Sequence, residues 1–292
     1  MNTDRHVDLH LHSLHSDGIL APAELVERGA RLGLQAIALA DHDTVAGIDE
    51  ALAAGCRQGV EVIPAIELSV EYGRYQDIHL LGYFIDHRDR EFQERLDLFR
   101  TRRDDRGRAI VERINTRLRQ EKRGEIPYSE VVDLAQGVLG RPHIARVLVA
   151  RGLARDVQDA FDRYVVPCNV PKLYFPMTEA LAEIRRIGGI SVLAHPATIT
   201  DNRTVLKGLL KELAAAGLEG IEVCNNLCNR DEMIFLEGIA RSLGLLKTAG
   251  SDYHGFEGEL ETGTGRSGFP VPYRWVQAMK EHLAGRTGSH SS

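Results

Sequence analysis

Apolar, β-branched runs recur along the chain, and most of them close on a polar cluster. They are "HVDLHLH" (6–12), "AIALADHD" (36–43), "VEVIPAIELS" (60–69), "IHLLGYF" (78–84), "ISVLAHP" (190–196), "GIEVCNN" (220–226) and "LLKTAGSD" (245–252). Helical patterns lie between several of them. "APAELVERGARLG" (21–33) and "TEALAEIRRIGG" (178–189) space apolar residues three and four apart and end in Gly. Near-continuous apolar strands alternating with helices predict parallel strands covered on both faces. Nearly every run carries His, Asp, Glu or Asn at its end, and in a (β/α) barrel those ends converge on the rim that bears the active site. An open doubly wound sheet would gather such residues at its switch point alone. The predicted fold is therefore an α/β barrel of seven strands.

Residues 88–175 break this rhythm. "RDREFQERLDLFRTRRDDRGRAIVERINTRLRQEKRG" reads as one long helix, followed by "YSEVVDLA", "RPHIARVLVARG" and "VQDAFDRYV", before the short "VPKLYF" returns the chain to the strand pattern. The expected organisation is a barrel built from 1–87 and 176–292, capped by a helical insertion over 88–175 that serves as a lid or a substrate-selecting wall.

Composition narrows the picture only slightly. At 292 residues, 43% hydrophobic and 27% charged, the chain is an ordinary globular one that can bury a core unaided. A net charge of −6 excludes a general nucleic-acid coat, which needs a basic field. Four cysteines without paired spacing read as inert thiols in a reducing cytoplasm, and no apolar run approaches the about 20 residues of a membrane span. No stable protein partner is implied. The polar tail "GRTGSHSS" (285–292) reads as a loose end, which discounts His290.

Candidate chemistry is concentrated at the strand ends. His10 and His12 alternate along the first run, so both point to one face, with Asp8 one step deeper and Asp17 in the turn beyond. "ADHD" adds Asp41, His42 and Asp43. Glu67, His79, His195, Asp252 and His254 follow from later runs. This is a set of imidazoles and carboxylates with no thiolate, which suits Mn, Fe, Zn or Co in a catalytic site and differs from a Cys-rich structural zinc site. Such a set exceeds one coordination shell. Two or three divalent ions bridged by a carboxylate such as Glu67 would use them all.

"DLHLHSLHSDG", "ALADHDT", Glu67, His79, "LAHP" and "GSDYHG" resemble, in order, the motifs of the PHP (polymerase and histidinol phosphatase) family, over about 200 residues outside the insertion. The resemblance implies a distorted seven-stranded TIM-like barrel with a trinuclear centre hydrolysing phosphoesters by attack of a metal-bridging hydroxide. It implies ligands His10, His12, Glu67 and Asp252 for one ion, Asp17, His42 and His254 for a second, and Glu67, His79 and His195 for a third. Asp17 stands where many members carry histidine, which favours Mn2+, with Fe, Zn, Co and Mg as other fits. His195 is also a candidate general acid, Asp43 a supporting catalytic carboxylate, and His15 is left without a role.

Substrate choice falls to the insertion, where residues 100–123 hold ten Arg or Lys against four acids. Ile110, Ile114 and Leu118 make an apolar stripe, and Arg103 lies beside it, so it is the preferred phosphate binder, with Arg102 next. Pro142 suits a first helical position and leaves backbone donors beside Arg141 and His143. Lys172 lies where the chain re-enters the barrel, and Asn225 ends the sixth run. "RPHIA" and "VPK" within such an insertion resemble the stand-alone bacterial subgroup that removes the 3'-phosphate from nucleoside 3',5'-bisphosphates. Alternatives are a 5'-to-3' exoribonuclease on short RNA, a histidinol-phosphate-type phosphatase and an amidohydrolase-type C–N hydrolase.

Overall fold

The structure is a computed structural model that describes residues 6–135, 139–256 and 270–288. The seven apolar runs become seven strands: β1 (His6–Leu11), β2 (Ala36–Leu39), β3 (Glu61–Tyr72), β4 (Tyr75–Tyr83), β6 (Ile190–Leu193), β7 (Gly220–Cys224) and β8 (Leu246–Ala249). Two-residue strands β5 (Phe175–Pro176) and β9 (Val271–Pro272) add to β3 and β1. The strand order β8-β7-β6-β4-β3-β2-β1 bends round on itself. Asp252 N donates to His10 O at 2.9 Å and His12 N to Tyr253 O at 3.0 Å, so the chain leaving β8 closes the sheet onto β1. Leu9, Ile63, Leu80, Val192 and Ile221 belong to one buried apolar cluster, and the buried Tyr83 hydroxyl donates to Leu9 O at 2.8 Å.

The fourth strand departs from the all-parallel expectation. β4 runs antiparallel to both β3 and β6. The reason is the connection: only Gly73 and Arg74 separate β3 from β4, and a parallel return needs a crossover of a dozen residues or more. His79 therefore reaches the rim from near the beginning of its run, not its end. It pairs across the ladder with Ser69, two residues beyond Glu67 on the same face.

Helices α1 (Pro22–Arg31) and α2 (Ile48–Gln58) cover the first three strands, and α7 (Met177–Arg186), α8 (Arg203–Ala215), α9 (Arg230–Leu243) and α10 (Arg274–Gly288) cover the rest. α1 buries Leu25, Val26 and Gly29 on one stripe, as its three-and-four spacing predicts. α10 runs on to Gly288, through half of the tail expected as a loose end, while His290 lies outside the described residues. No disulfide joins the four cysteines, and among the described residues no helix is long and apolar enough to cross a membrane.

Between β4 and β5 lie α3 (Arg90–Gln120), α4 (Tyr128–Ala135), α5 (Arg141–Ala150) and α6 (Val157–Ala160), the last continuing into a wide helical turn at Phe161–Val165. α3 has 31 residues, a length of about 46 Å at 1.5 Å per residue, and it serves two cores. Phe92 and Leu96 pack into the barrel cluster. Ile110, Ile114 and Leu118 join Ile144, Leu148 and Tyr164 in a second cluster of their own. Arg103 sits between the two halves.

Close approach at the rim leaves no room at Gly250, where a Cβ would lie 2.3 Å from His10 Cβ and 2.4 Å from His10 N. Both are parts of β1 that cannot yield without moving a site histidine. Gly250→Ala is expected to cost about 3 kcal/mol of stability, measured as a lower urea midpoint at unchanged slope.

Candidate metal centre

Glu67 stands at the middle of the rim, fully buried on β3. Its Oε2 lies 3.3 Å from His10 Nε2, 3.3 Å from His12 Nε2 and 3.0 Å from His42 Nδ1. Its Oε1 lies 3.1 Å from His79 Nδ1 and 3.0 Å from His195 Nε2. Asp252 Oδ1 closes one side, 3.1 Å from His12 Nε2 and 3.5 Å from His10 Nε2. On the other side Asp17 approaches His254 Nε2 at 3.4 Å and His42 Nε2 at 3.8 Å. All nine side chains expected as ligands thus converge, although they come from six separate stretches of chain.

The donor atoms form three groups with the spacing of coordination shells. His10, His12, Glu67 and Asp252 make one, and His12, Asp17, His42 and His254 make a second. A third joins Glu67 and His79 with His42, and His195 Nε2 also lies 3.2 Å from His79 Nδ1. Cations fit this arrangement. His10 Nε2, both ring nitrogens of His12, His42 Nδ1, Asp17 Oδ1 and Glu67 Oε2 are buried without a hydrogen bond of acceptable geometry, each aimed at the gaps between neighbours. Buried polar atoms left in this way are costly unless something fills the gap.

Electrostatics shows the same demand. Burial alone would raise the Glu67 carboxyl, yet His42, His10 and His79 hold it well below the usual range. Burial would lower His10, but Glu67, Glu222 and Asp252 outweigh it and hold its imidazole well above the ordinary value. His12 goes the other way, lowered by burial and by the neighbouring His254. The carboxylates thus draw positive charge into a place where the crowded imidazoles cannot all accept a proton. Divalent ions supply that charge without protonating the ligands.

Several supports escaped the sequence reading. Glu222, inside β7, accepts from His10 at 2.9 Å (Nδ1), from the His195 backbone N–H at 2.8 Å and from Asn225 Nδ2 at 2.8 Å. It fixes the ring that presents His10 Nε2 and steadies the backbone of His195, whose φ is 29°. An acid in the middle of an otherwise apolar run, "GIEVC", was the available signal. Asp41 accepts from Ser13 N, Ser13 Oγ and Ser16 Oγ at 2.6, 2.6 and 2.7 Å and pins the loop that carries Asp17. Asp8 accepts from Ser251 N at 2.8 Å. His15 stands outside the three donor groups and packs beside Gly47.

A cleft opens from this centre beneath the insertion. Asp17, His42 and His79 form its floor, and Ser69, Asp77, Arg103, Arg106, Arg141 and Lys172 form its wall. Lys172 Nζ and Arg103 both donate to Ser69 Oγ, at 2.6 and 3.2 Å, and Arg103 also pairs with Asp43. Asp77 faces Arg141 at 3.1 Å and Lys172 at 3.5 Å.

Of the residues expected to bind substrate, Arg103, Arg141 and Lys172 are here. The other three are not. Arg102 is exposed one step round α3, whereas Arg106 turns inward because Asn169 and Val170 of the returning chain bind its guanidinium at 2.7 Å. His143 is buried and accepts the Gly140 N–H at 3.0 Å, so it caps its own helix. Asn225 is buried and spent on Glu222 and the Leu227 N–H. Asp43, expected as a supporting catalytic carboxylate, is placed against Arg103. Its carboxylate is occupied by Arg103 and by Ser69 N at 2.8 Å, which makes it the anchor of Arg103.

The PHP domain model matches residues 8–166. The chain belongs to the PHP domain family. A 3',5'-nucleoside bisphosphate phosphatase of Chromobacterium violaceum is 31% identical over 252 residues, covering 85% of this chain and 87% of that one. A 5'-3' exoribonuclease of Haemophilus influenzae is 34% identical over 262 residues, covering 88% and 92%. Among solved structures, a candidate metal-dependent phosphoesterase of Bifidobacterium adolescentis superposes with a TM-score of 0.82 at 29% identity, covering 94% and 95%. This PHP protein is thus a metal-dependent phosphoric ester hydrolase with a barrel-shaped sheet and clustered residues able to hold metal ions.

Because Glu222 orients His10 and the His195 backbone together, Glu222→Ala is expected to weaken metal binding by about 10- to 100-fold. Titration of the metal-stripped protein with Mn2+, followed by calorimetry, measures this. Glu222→Gln keeps a hydrogen-bonding group and should recover part of the loss.

Proposed function

We propose that this PHP phosphoesterase removes the 3'-phosphate from nucleoside 3',5'-bisphosphates, giving a nucleoside 5'-monophosphate and phosphate. One observation carries the reading: four cations, Arg103, Arg106, Arg141 and Lys172, face the same cleft whose floor is the donor cluster. A substrate with one phosphate has no use for such a wall once that phosphate lies over the cluster. A second phosphate on the same molecule does. The Chromobacterium violaceum relative, named for this activity, supports the assignment.

In this reading His10, His12, Glu67 and Asp252, then Asp17, His42 and His254, then Glu67, His79 and His195 hold two or three divalent ions. Mn2+ is the preferred ion, since Asp17 adds a hard oxygen to the histidine-rich set. When bound, such ions supply charge stabilisation to the phosphoryl group and an activated water. The chain does the rest. Arg103 is held at the wall by Asp43, and Arg141 and Lys172 are held there by Asp77, so the 5'-phosphate meets donors already in place. The insertion over 88–175 is the cap that brings these cations above the barrel rim and shields the cleft from water.

The reading predicts a preference of at least ten-fold in kcat/KM for adenosine 3',5'-bisphosphate over 3'-AMP. Arg141→Ala should lower the former and leave the latter little changed. Equal turnover of the two esters by the unaltered protein defeats the proposal.

Lys172 adds a pH dependence. Burial, reinforced by Arg103, pulls its ammonium down to about 7 in the free protein. Below that pH the side chain is charged and attracts the 5'-phosphate. Above it, binding must first supply a proton, so the bisphosphate advantage over 3'-AMP is expected to fall between pH 7 and 9. The ratio of kcat/KM for the two substrates measures it, and Lys172→Arg should flatten the fall.

A further inference from the structure

Hydrolysis of an alkyl phosphate leaves a basic oxygen behind, which needs a proton as its bond to phosphorus breaks. Ser69 stands where that oxygen passes. It is buried on β3 and lines the cleft at the boundary between floor and wall. Glu67 lies two residues before it on the same face, His79 is its ladder partner, and Arg103 and Lys172 reach it from the wall. A nucleoside with its 3'-phosphate over the floor and its 5'-phosphate on the wall crosses this boundary with its ribose, the part that carries the leaving 3'-oxygen.

The direction of the Ser69 hydroxyl follows from its partners. A hydroxyl has one proton to donate and two lone pairs with which to accept. Both lone pairs are used: the Lys172 ammonium donates to Ser69 Oγ at 2.6 Å and the Arg103 guanidinium at 3.2 Å, and neither cation can accept in return. The Ser69 proton is therefore turned away from both, and among the described residues no acceptor takes it. Lys172 behind it is a proton reserve. Burial, reinforced by Arg103, pulls its ammonium down to about 7, with Arg106 and Arg141 acting the same way and Asp77, at 3.5 Å, opposing them. The Tyr174 ring, 5.1 Å from Nζ, completes its surroundings.

We propose that Ser69 is a catalytic residue that donates its proton to the leaving 3'-oxygen, and that Lys172 refills it. This deepens the bisphosphate reading and rests on it, because that reading lays the ribose across Ser69. Water adds to phosphorus and the bond from phosphorus to the 3'-oxygen breaks, with its electron pair left on that oxygen. The 3'-oxygen takes the Ser69 proton, Ser69 Oγ takes one from the Lys172 ammonium, and the amine regains a proton from solvent, which receives the one lost by the attacking water. Lys172 acts through Ser69 and is a positioning residue for the step.

The test measures kcat of the Mn2+-loaded protein on two monoesters that lack a 5'-phosphate, 3'-AMP and p-nitrophenyl phosphate. Nitrophenolate leaves without a proton and so reads the ion centre alone, whereas the 3'-oxygen of 3'-AMP needs one. In Ser69→Ala the ratio of kcat on 3'-AMP to kcat on p-nitrophenyl phosphate is expected to fall about 100-fold. In Lys172→Met it should fall about ten-fold, since the hydroxyl remains but is not refilled, and this variant carries the test if Ser69→Ala does not fold. An equal loss on both esters overturns the proton path. A loss confined to adenosine 3',5'-bisphosphate overturns it too, and leaves Ser69 and Lys172 as parts of the wall. Absence of a bisphosphate preference over 3'-AMP in the unaltered chain is a separate result, which defeats the underlying reading and with it the placing of the ribose.

Discussion

A single buried carboxylate, Glu67, faces five imidazoles, and the rest of the molecule is arranged so that this can be sustained. No apolar surroundings tolerate an unpaired carboxylate, and no cluster of five rings within contact of it can be fully protonated. The interaction is stable only if the ring nitrogens and carboxylate oxygens share cations between them. Everything that brings those atoms together, from barrel closure to the second carboxylate Glu222 behind His10, serves that condition. Closure matters most directly, since the hydrogen bonds joining residues 252 and 253 to β1 place Asp252 against His10 and His12.

The reversed fourth strand links the donor cluster to the basic wall of the cleft. A tight hairpin after β3 prolongs that strand beyond the rim, which puts Ser69 past Glu67 and His79 directly across from Ser69. Ser69 Oγ then receives both Lys172 and Arg103, and Ser69 N binds the acid that anchors Arg103. One short stretch of β3 therefore carries the central carboxylate Glu67 and the attachment point for the basic wall. The donor cluster and the basic wall are held in register by the strand itself, with no loop between them to loosen the spacing.

The insertion illustrates how a long helix settles a question of position. α3 is anchored at one end in the barrel core and at the other in the cap's own core, so Arg103 and Arg106 at the junction have little freedom to swing away. Its apolar stripe of Ile110, Ile114 and Leu118 was legible from spacing, and so was the inward setting of Arg103. The inward turn of Arg106 was not, because it depends on Asn169 and Val170, more than sixty residues along the chain. The same limit applies to His143 and Asn225. Both are polar residues at favourable places in the pattern, and both are used locally, one capping a helix and the other closing a turn.

By itself the sequence determined the seven barrel strands, the helical interruption between them and the nine chemically fit side chains at the rim. These are legible because apolar periodicity is local and because a histidine or carboxylate at a strand end has few structural uses that repeat from strand to strand. Only the tertiary structure decided the direction of β4, the hold of Glu222 on both His10 and the His195 backbone, the pairing of Asp43 with Arg103, and the place of Arg106 in the cleft. Each of these turns on a partner distant in the chain or on the length of a connection. Hydrogen bonds and ion pairs between such residues are set by the closed barrel, and no local pattern carries their geometry.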